Sequence, residues 1–189
     1  MDRYDVIIIG AGPGGMTAAI YAQRANLKTM MLEKAAPGGK MMTTWEVENY
    51  TGFGKIGGFE LSEKMFNHTQ ELGVEYKYGD VVKIVDLGTW KEVHTASNEI
   101  YKTKAVIIGT GTIPRSTKAP GESKLSGRGV SWCAICDGAF FKEKNIMVIG
   151  GGNSAIEEAV YLTKMVNHIT VVNILPTLQA DAKAIDQAK

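Results

Sequence analysis

The chain has 189 residues, 44% of them hydrophobic, and its 21 basic and 20 acidic side chains leave a net charge of +1. That balance excludes the electrostatic footprint of a nucleic-acid or anionic-membrane binder, and no apolar run reaches bilayer length. Two cysteines, both in Cys133-Ala134-Ile135-Cys136, exclude a disulfide-stapled secreted scaffold. With no signal-peptide layout ahead of the first apolar run, the expected location is the cytoplasm.

Tyr4–Ile9 is an unbroken apolar run rich in β-branched residues and predicts a buried strand. It runs into Gly10-Ala11-Gly12-Pro13-Gly14-Gly15, followed by a helix over Met16–Ala25 and a second strand over Lys28–Leu32 that ends at Glu33. Gly10, Gly12 and Gly15 carry the G-x-G-x-x-G spacing of a dinucleotide turn, in which backbone N–H groups at a helix N-terminus receive a pyrophosphate. Glu33 stands where an acid binds a ribose 2′-hydroxyl. A tight strand-helix turn without ligand is the simpler alternative.

Met41–Gly58 reads as loop and Glu60–Gly73 as helix. Val74–Tyr78, Val81–Asp86, Lys91–Thr95 and Lys104–Ile108 read as strands, the last closing on Gly109-Thr110-Gly111. Thr112–Gly129, with Pro114, Pro120 and several Gly and Ser, reads as an interdomain linker. A second glycine turn follows: strand Ile146–Ile149, Gly150-Gly151-Gly152-Asn153-Ser154-Ala155, helix Ile156–Met165, strand Ile169–Val172. The two copies align without a gap, Gly10 on Gly150, Gly12 on Gly152 and Glu33 on Asn173, which predicts two nucleotide-binding units. Asn173 supplies neither the acid that favours a free 2′-hydroxyl nor the arginine that favours a 2′-phosphate.

Cys-x-x-Cys in an α/β context reads as a redox pair, with Asp137 beside it to hold or supply a proton. The alternatives are an inert pair or half a zinc site, but His68, His94 and His168 are too scattered to complete one. Met30, Met31, Met41 and Met42 read as core filler, and Trp45 as a packing residue.

The segments IIIGAGPGGMTAAIYAQRA, LEKAAPGGKM, VENYTGF, IIGTGTIPR, VSWCAICDGAFF and VIGGGNSAIEEAVYLTK resemble the low-molecular-weight thioredoxin reductases from Asp5 to about Val172. WCAICDG just before GGGNSA is the most diagnostic arrangement. The resemblance implies an α/β fold with two Rossmann-like, three-layer βαβ domains in tandem. An FAD-binding domain would occupy 1–112 and a dithiol-carrying, pyridine-nucleotide-type domain 113–189, the second incomplete in this chain. It implies FAD held by Gly10, Gly12, Pro13, Gly14, Gly15, Glu33, Lys34, Gly39, Lys40, Asn49, the backbone near Val82, Thr110 and Gly111. Gly150, Gly152, Asn153 and Ser154 would form the second nucleotide turn. Cys136 would face the flavin, Cys133 would attack the disulfide of thioredoxin, and Asp137 would be the acid-base group; relatives are commonly homodimers.

The chain departs from the family at the end of the second domain's second strand. There the family carries His-Arg-Arg and a further Arg, whereas this sequence has Asn173, Ile174, Leu175 and Gln179. NADPH is therefore disfavoured as electron donor, leaving NADH or reduced ferredoxin. A small-molecule dithiol oxidase, the flavoprotein component of a peroxide-reducing system, and a nucleotide-binding redox module without turnover are the competing functions.

Overall fold

Residues 3–188 are described by the computed structural model, and the chain divides into two units, Met1–Ile113 and Pro114–Lys189. In the first, β1 (Arg3–Ile9), α1 (Pro13–Arg24) and β2 (Thr29–Glu33) form the opening βαβ. A 3-10 turn at Gly39–Thr43 precedes α2 (Gly58–Glu71), β3 (Glu75–Tyr78), β4 (Val81–Asp86), β5 (Lys91–Thr95) and β6 (Ile100–Ile108). The sheet order is β3-β2-β1-β6-β5-β4. Four strands are parallel, β1 pairing with β2 from Val6↔Thr29 and with β6 from Arg3↔Lys102. β5 and β4 extend β6 as an antiparallel meander.

Alternation along β1 serves two cores. Val6 and Ile8 pack with Met16 and Ala19 of α1 and with Leu61 and Met65 of α2. Ile7 and Ile9 pack with Met30, Leu32, Val93 and Tyr101 on the other side. A strand buried on both faces must be apolar throughout, which is why the run reads without alternation in sequence. Met30 and Met31 are fully buried, as core filler should be, and Met41 packs at the edge of the first core.

The second unit begins with residues 114–121, pinned by Glu122 at the start of the short helix α3 (Glu122–Leu125). The Glu122 carboxylate accepts from Ser116 Oγ at 2.7 Å, Thr117 Oγ1 at 3.0 Å and the Thr117 N–H at 3.1 Å. Then come α4 (Ala134–Asp137), β7 (Asn145–Ile149), α5 (Asn153–Leu162), β8 (His168–Val172) and α6 (Ala182–Gln187). β7 and β8 pair in parallel from Asn145↔His168 to Ile149↔Val172 as a separate two-stranded sheet. Ile156, Ala159 and Leu162 form the buried stripe of α5. Among the described residues no helix is long and apolar enough to cross a membrane.

Several features differ from the sequence expectation, among them the short helices α3, inside the expected linker, and α6. Both glycine-turn helices begin three residues earlier, at Pro13 and Asn153; in α1 Pro13 fits the first helical turn and Gly14 and Gly15 enter it without a side chain to displace, whereas α5 opens on Asn153, Ser154 and Ala155. β6 starts at Ile100, since Ile100–Thr103 pairs antiparallel with β5 before the strand turns to β1. Trp45, expected as a packing residue, is 59% exposed.

Candidate functional site

The sheet of the first unit changes direction between β1 and β6, and ligands of open α/β sheets sit at the carboxyl ends of strands at such a switch point. Here the two strand ends are in contact. The Gly109 N–H donates to Ile9 O at 2.7 Å, and a Cβ at Gly10 (φ +104°) would lie 2.3 Å from Gly109 O. A Cβ at Gly15 would lie 1.9 Å from Gly10 O, so these glycines let α1 press onto β1. Gly12 and Gly14 differ: a Cβ there would meet no atom within 4 Å.

Gly12 caps α1, yet the helix has no side-chain cap and no acid in its first turn. Its first N–H groups and the positive end of its dipole therefore face open space, an arrangement complementary to a phosphate anion. A second glycine pair closes on this turn. The Gly38 N–H donates to Ala11 O at 2.7 Å, and a Cβ at Gly39 would lie 3.3 Å from Gly12 Cα. Lys40 follows, exposed to solvent.

Glu33, at the end of β2, is oriented by two backbone donors. The Ala11 N–H reaches Oε2 at 2.8 Å and the Ala35 N–H reaches Oε1 at 2.9 Å. It lines a cleft of about 300 Å³ together with Gly10, Lys34, Asp80, Thr110 and Gly111. Lys34 Nζ stands 3.8 Å from Asp80 Oδ1 at the mouth. An adjoining cavity of about 220 Å³ carries Val82, Ile84, Ile108 and Thr110. Of the residues singled out in this unit, Gly12, Pro13, Gly14, Gly15, Gly39, Lys40 and Asn49 line neither cavity, and Asn49 is exposed in the 44–57 segment.

The second centre is the Cys133–Cys136 disulfide, with Cα atoms 5.3 Å apart. Cys133 caps α4, its Sγ accepting from the Cys136 N–H at 3.2 Å. Asp137 ends the helix. Ser131 Oγ donates to Asp137 Oδ2 at 2.5 Å and accepts from the Cys133 N–H at 3.1 Å, so one hydroxyl ties the acid to the first cysteine. Glu158 of α5 supports the pair from behind. Burial pushes its carboxyl above the ordinary range, opposed by the hydrogen bond it accepts from the Ala134 N–H.

Gly150 (φ +134°), Gly152, Asn153 and Ser154 form the second turn at the start of α5. Ser131, Glu158 and Asp80 were not singled out from sequence. Ser131 alone left a signal there, a hydroxyl two residues before the first cysteine.

The second unit thus carries a Cys-x-x-Cys disulfide with a carboxylate tied to it through Ser131, and the first unit a glycine turn of dinucleotide shape. Residues 4–189 match the family described as pyridine nucleotide-disulphide oxidoreductase. The thioredoxin reductase of Bacillus subtilis is 53% identical over 190 residues, covering 98% of this chain and 60% of that protein. The crystal structure of Lactococcus lactis thioredoxin reductase (FR conformation) superposes with a TM-score of 0.94 at 47% identity, covering 97% of this chain and 60% of that one. A ferredoxin-flavin thioredoxin reductase from Clostridium acetobutylicum gives 0.55 at 27% identity, covering 95% and 65%. The chain spans about 60% of the length of the curated relatives it matches.

Proposed function

Because the chain belongs to the pyridine nucleotide-disulphide oxidoreductase family, we propose that it serves a flavin-dependent thioredoxin reductase. Two electrons pass through Cys133 and Cys136 to the disulfide of thioredoxin, in the cytoplasm and in a homodimer. The observation that carries the reading is the Cys133–Cys136 disulfide with Asp137 tied to it through Ser131.

The first unit fits FAD. Its open Gly12 and Gly14, uncapped α1 and backbone-oriented Glu33 suit a pyrophosphate and a ribose, and the cleft beside them suits an adenosine-sized group. Gly10 and Gly15 hold the turn, with Pro13, Lys34, Gly39, Lys40, Asn49, Val82, Thr110 and Gly111 proposed around the same ligand. FAD held by these residues would supply a two-electron carrier for the disulfide. The chain's own residues do the rest. Cys133, as its thiolate, attacks the thioredoxin disulfide. Cys136 then attacks the Cys133 sulfur of the mixed disulfide, re-forming the Cys133–Cys136 bond and expelling the thioredoxin sulfur, and Asp137 delivers the proton to that leaving thiolate.

We propose NADH or reduced ferredoxin, rather than NADPH, as the donor. A 2′-phosphate needs charge-assisted partners, and Asn173, Ile174, Leu175 and Gln179 supply no charge. Each missing contact weakens binding by about 1.5–3 kcal/mol. The ferredoxin-flavin relative supports the protein donor. Steady-state thioredoxin reduction by the full-length protein with NADPH, NADH and reduced ferredoxin at matched concentrations tests this. Robust turnover at micromolar NADPH overturns it.

A further inference from the structure

The two glycine turns share a shape but differ in charge. Like α1, α5 starts on a glycine with no side-chain cap and no acid in its first turn. A Cβ at Gly152, like one at Gly12, would meet nothing within 4 Å. Shape alone would admit a pyrophosphate at both.

At the second turn, however, the chain comes back over its own helix. Asn173 at the end of β8 lies against Gly151, where a Cβ would stand 2.6 Å from its Cγ. The Asn173 amide donates to Thr177 O at 2.7 Å and Leu175 O at 3.0 Å, curling the segment. The Gln179 N–H then donates to Gly151 O at 2.7 Å. Two residues later Asp181 meets Asn153, the first residue of α5, in a reciprocal pair. The Asp181 N–H donates to Asn153 Oδ1 at 2.7 Å, and Asn153 Nδ2 donates to Asp181 Oδ2 at 2.8 Å. The carboxylate is thereby fixed beside the positive end of α5, the place an anionic ligand takes at such a turn. Its field is felt one turn along the helix. Burial and, after it, the Asp181 charge hold the Glu157 carboxyl above its ordinary range.

We propose that Asp181 is a specificity-determining residue, a built-in anion at the second glycine turn that repels the pyrophosphate of NADH and NADPH alike. This builds on the donor reading above, and of the two donors proposed there it favours reduced ferredoxin over NADH, but it is separable from that reading. The missing arginines concern the 2′-phosphate that only NADPH carries, whereas Asp181 stands by the pyrophosphate that both nucleotides share. Asn153 is occupied by this pair, which sets a fixed negative charge beside the first residue of α5.

The test is equilibrium binding of NADH and NADPH, by calorimetry, to the full-length flavin-loaded protein in three forms. These are the natural sequence, Asp181→Asn, and the double variant Ile174→Arg/Leu175→Arg. Asp181→Asn keeps an N–H and an oxygen for Asn153 while removing the charge; Asp181→Ser, also a helix-capping residue, is the second variant if the first folds poorly. The expected result is a similar gain of about tenfold for both nucleotides, equal to about 1.4 kcal/mol, on removing the charge. Unchanged affinity for both, or a gain confined to NADPH, overturns the proposal. A gain for both with Asp181→Asn, while the arginine variant fails to tighten NADPH, leaves the proposal standing and overturns the 2′-phosphate reading alone.

Discussion

Alanine at Gly15 and alanine at Gly12 give opposite results if the first glycine turn is built for a ligand. At Gly15 the added Cβ falls 1.9 Å from Gly10 O, both within the packed contact of α1 on β1. Restoring ordinary separation requires α1 to move by about 1.5 Å in a close-packed core, and overpacking of that kind costs about 3 kcal/mol. For a unit of this size that is a loss of about 12 °C in Tm, at about 4 °C per kcal/mol. At Gly12 the backbone is extended (φ −78°, ψ −179°), which alanine adopts, and no atom lies within 4 Å of the new methyl. Its folding cost is that of a poorer helix cap, about 1 kcal/mol or less. The methyl does, however, fill the space in front of the α1 N–H groups. Losing one charged hydrogen bond there weakens FAD binding by about tenfold to a hundredfold. Circular dichroism melts of the apoproteins and fluorescence titration with FAD measure the two quantities separately. Equal destabilisation by both variants, or undiminished FAD affinity in Gly12→Ala, refutes the reasoning.

Three further outcomes are expected. Cys133→Ser leaves a Cys136 thiolate that gives a long-wavelength charge-transfer band with oxidised FAD; the band in Cys136→Ser instead reverses the two roles. Ser131→Ala removes the hydrogen bond to Asp137 and the acceptor for the Cys133 N–H, slowing thioredoxin reduction by about tenfold, with Ser131→Thr restoring most of it in stopped-flow traces. Glu158→Gln is more stable than the natural protein at neutral pH: with the folded carboxyl raised, ionisation costs stability as pH climbs from the ordinary glutamate range through the raised value, so the melting difference vanishes in acid.

The glycine turns, the parallel strands and the dithiol were legible because each is a local pattern: a spacing, an unbroken apolar run, a Cys-x-x-Cys. What escaped depends on contacts between distant segments. Ile100–Thr103 lies outside the apolar run read as the strand Lys104–Ile108, and joins it only because β5 pairs with it. α6 is only six residues long and buries Ala184 alone, too little for a periodic signal. Asp181 is an unremarkable acid in sequence and gains its meaning from Asn153, on the far side of β8. Trp45 was misplaced for the converse reason, since bulk and apolarity do not decide which side of a loop faces solvent.

The central claim is that electrons leave this protein through Cys133 onto a thioredoxin disulfide, and one anaerobic turnover tests it without reference to any donor. The full-length flavin-loaded protein is reduced by dithionite, freed of excess reductant, and mixed with oxidised thioredoxin. The account predicts two new thiols on thioredoxin for each Cys133–Cys136 pair oxidised, and none with Cys133→Ser. Thioredoxin that stays oxidised, while the reduced protein gives up its electrons as soon as oxygen is admitted, would contradict the account and identify a dithiol oxidase instead.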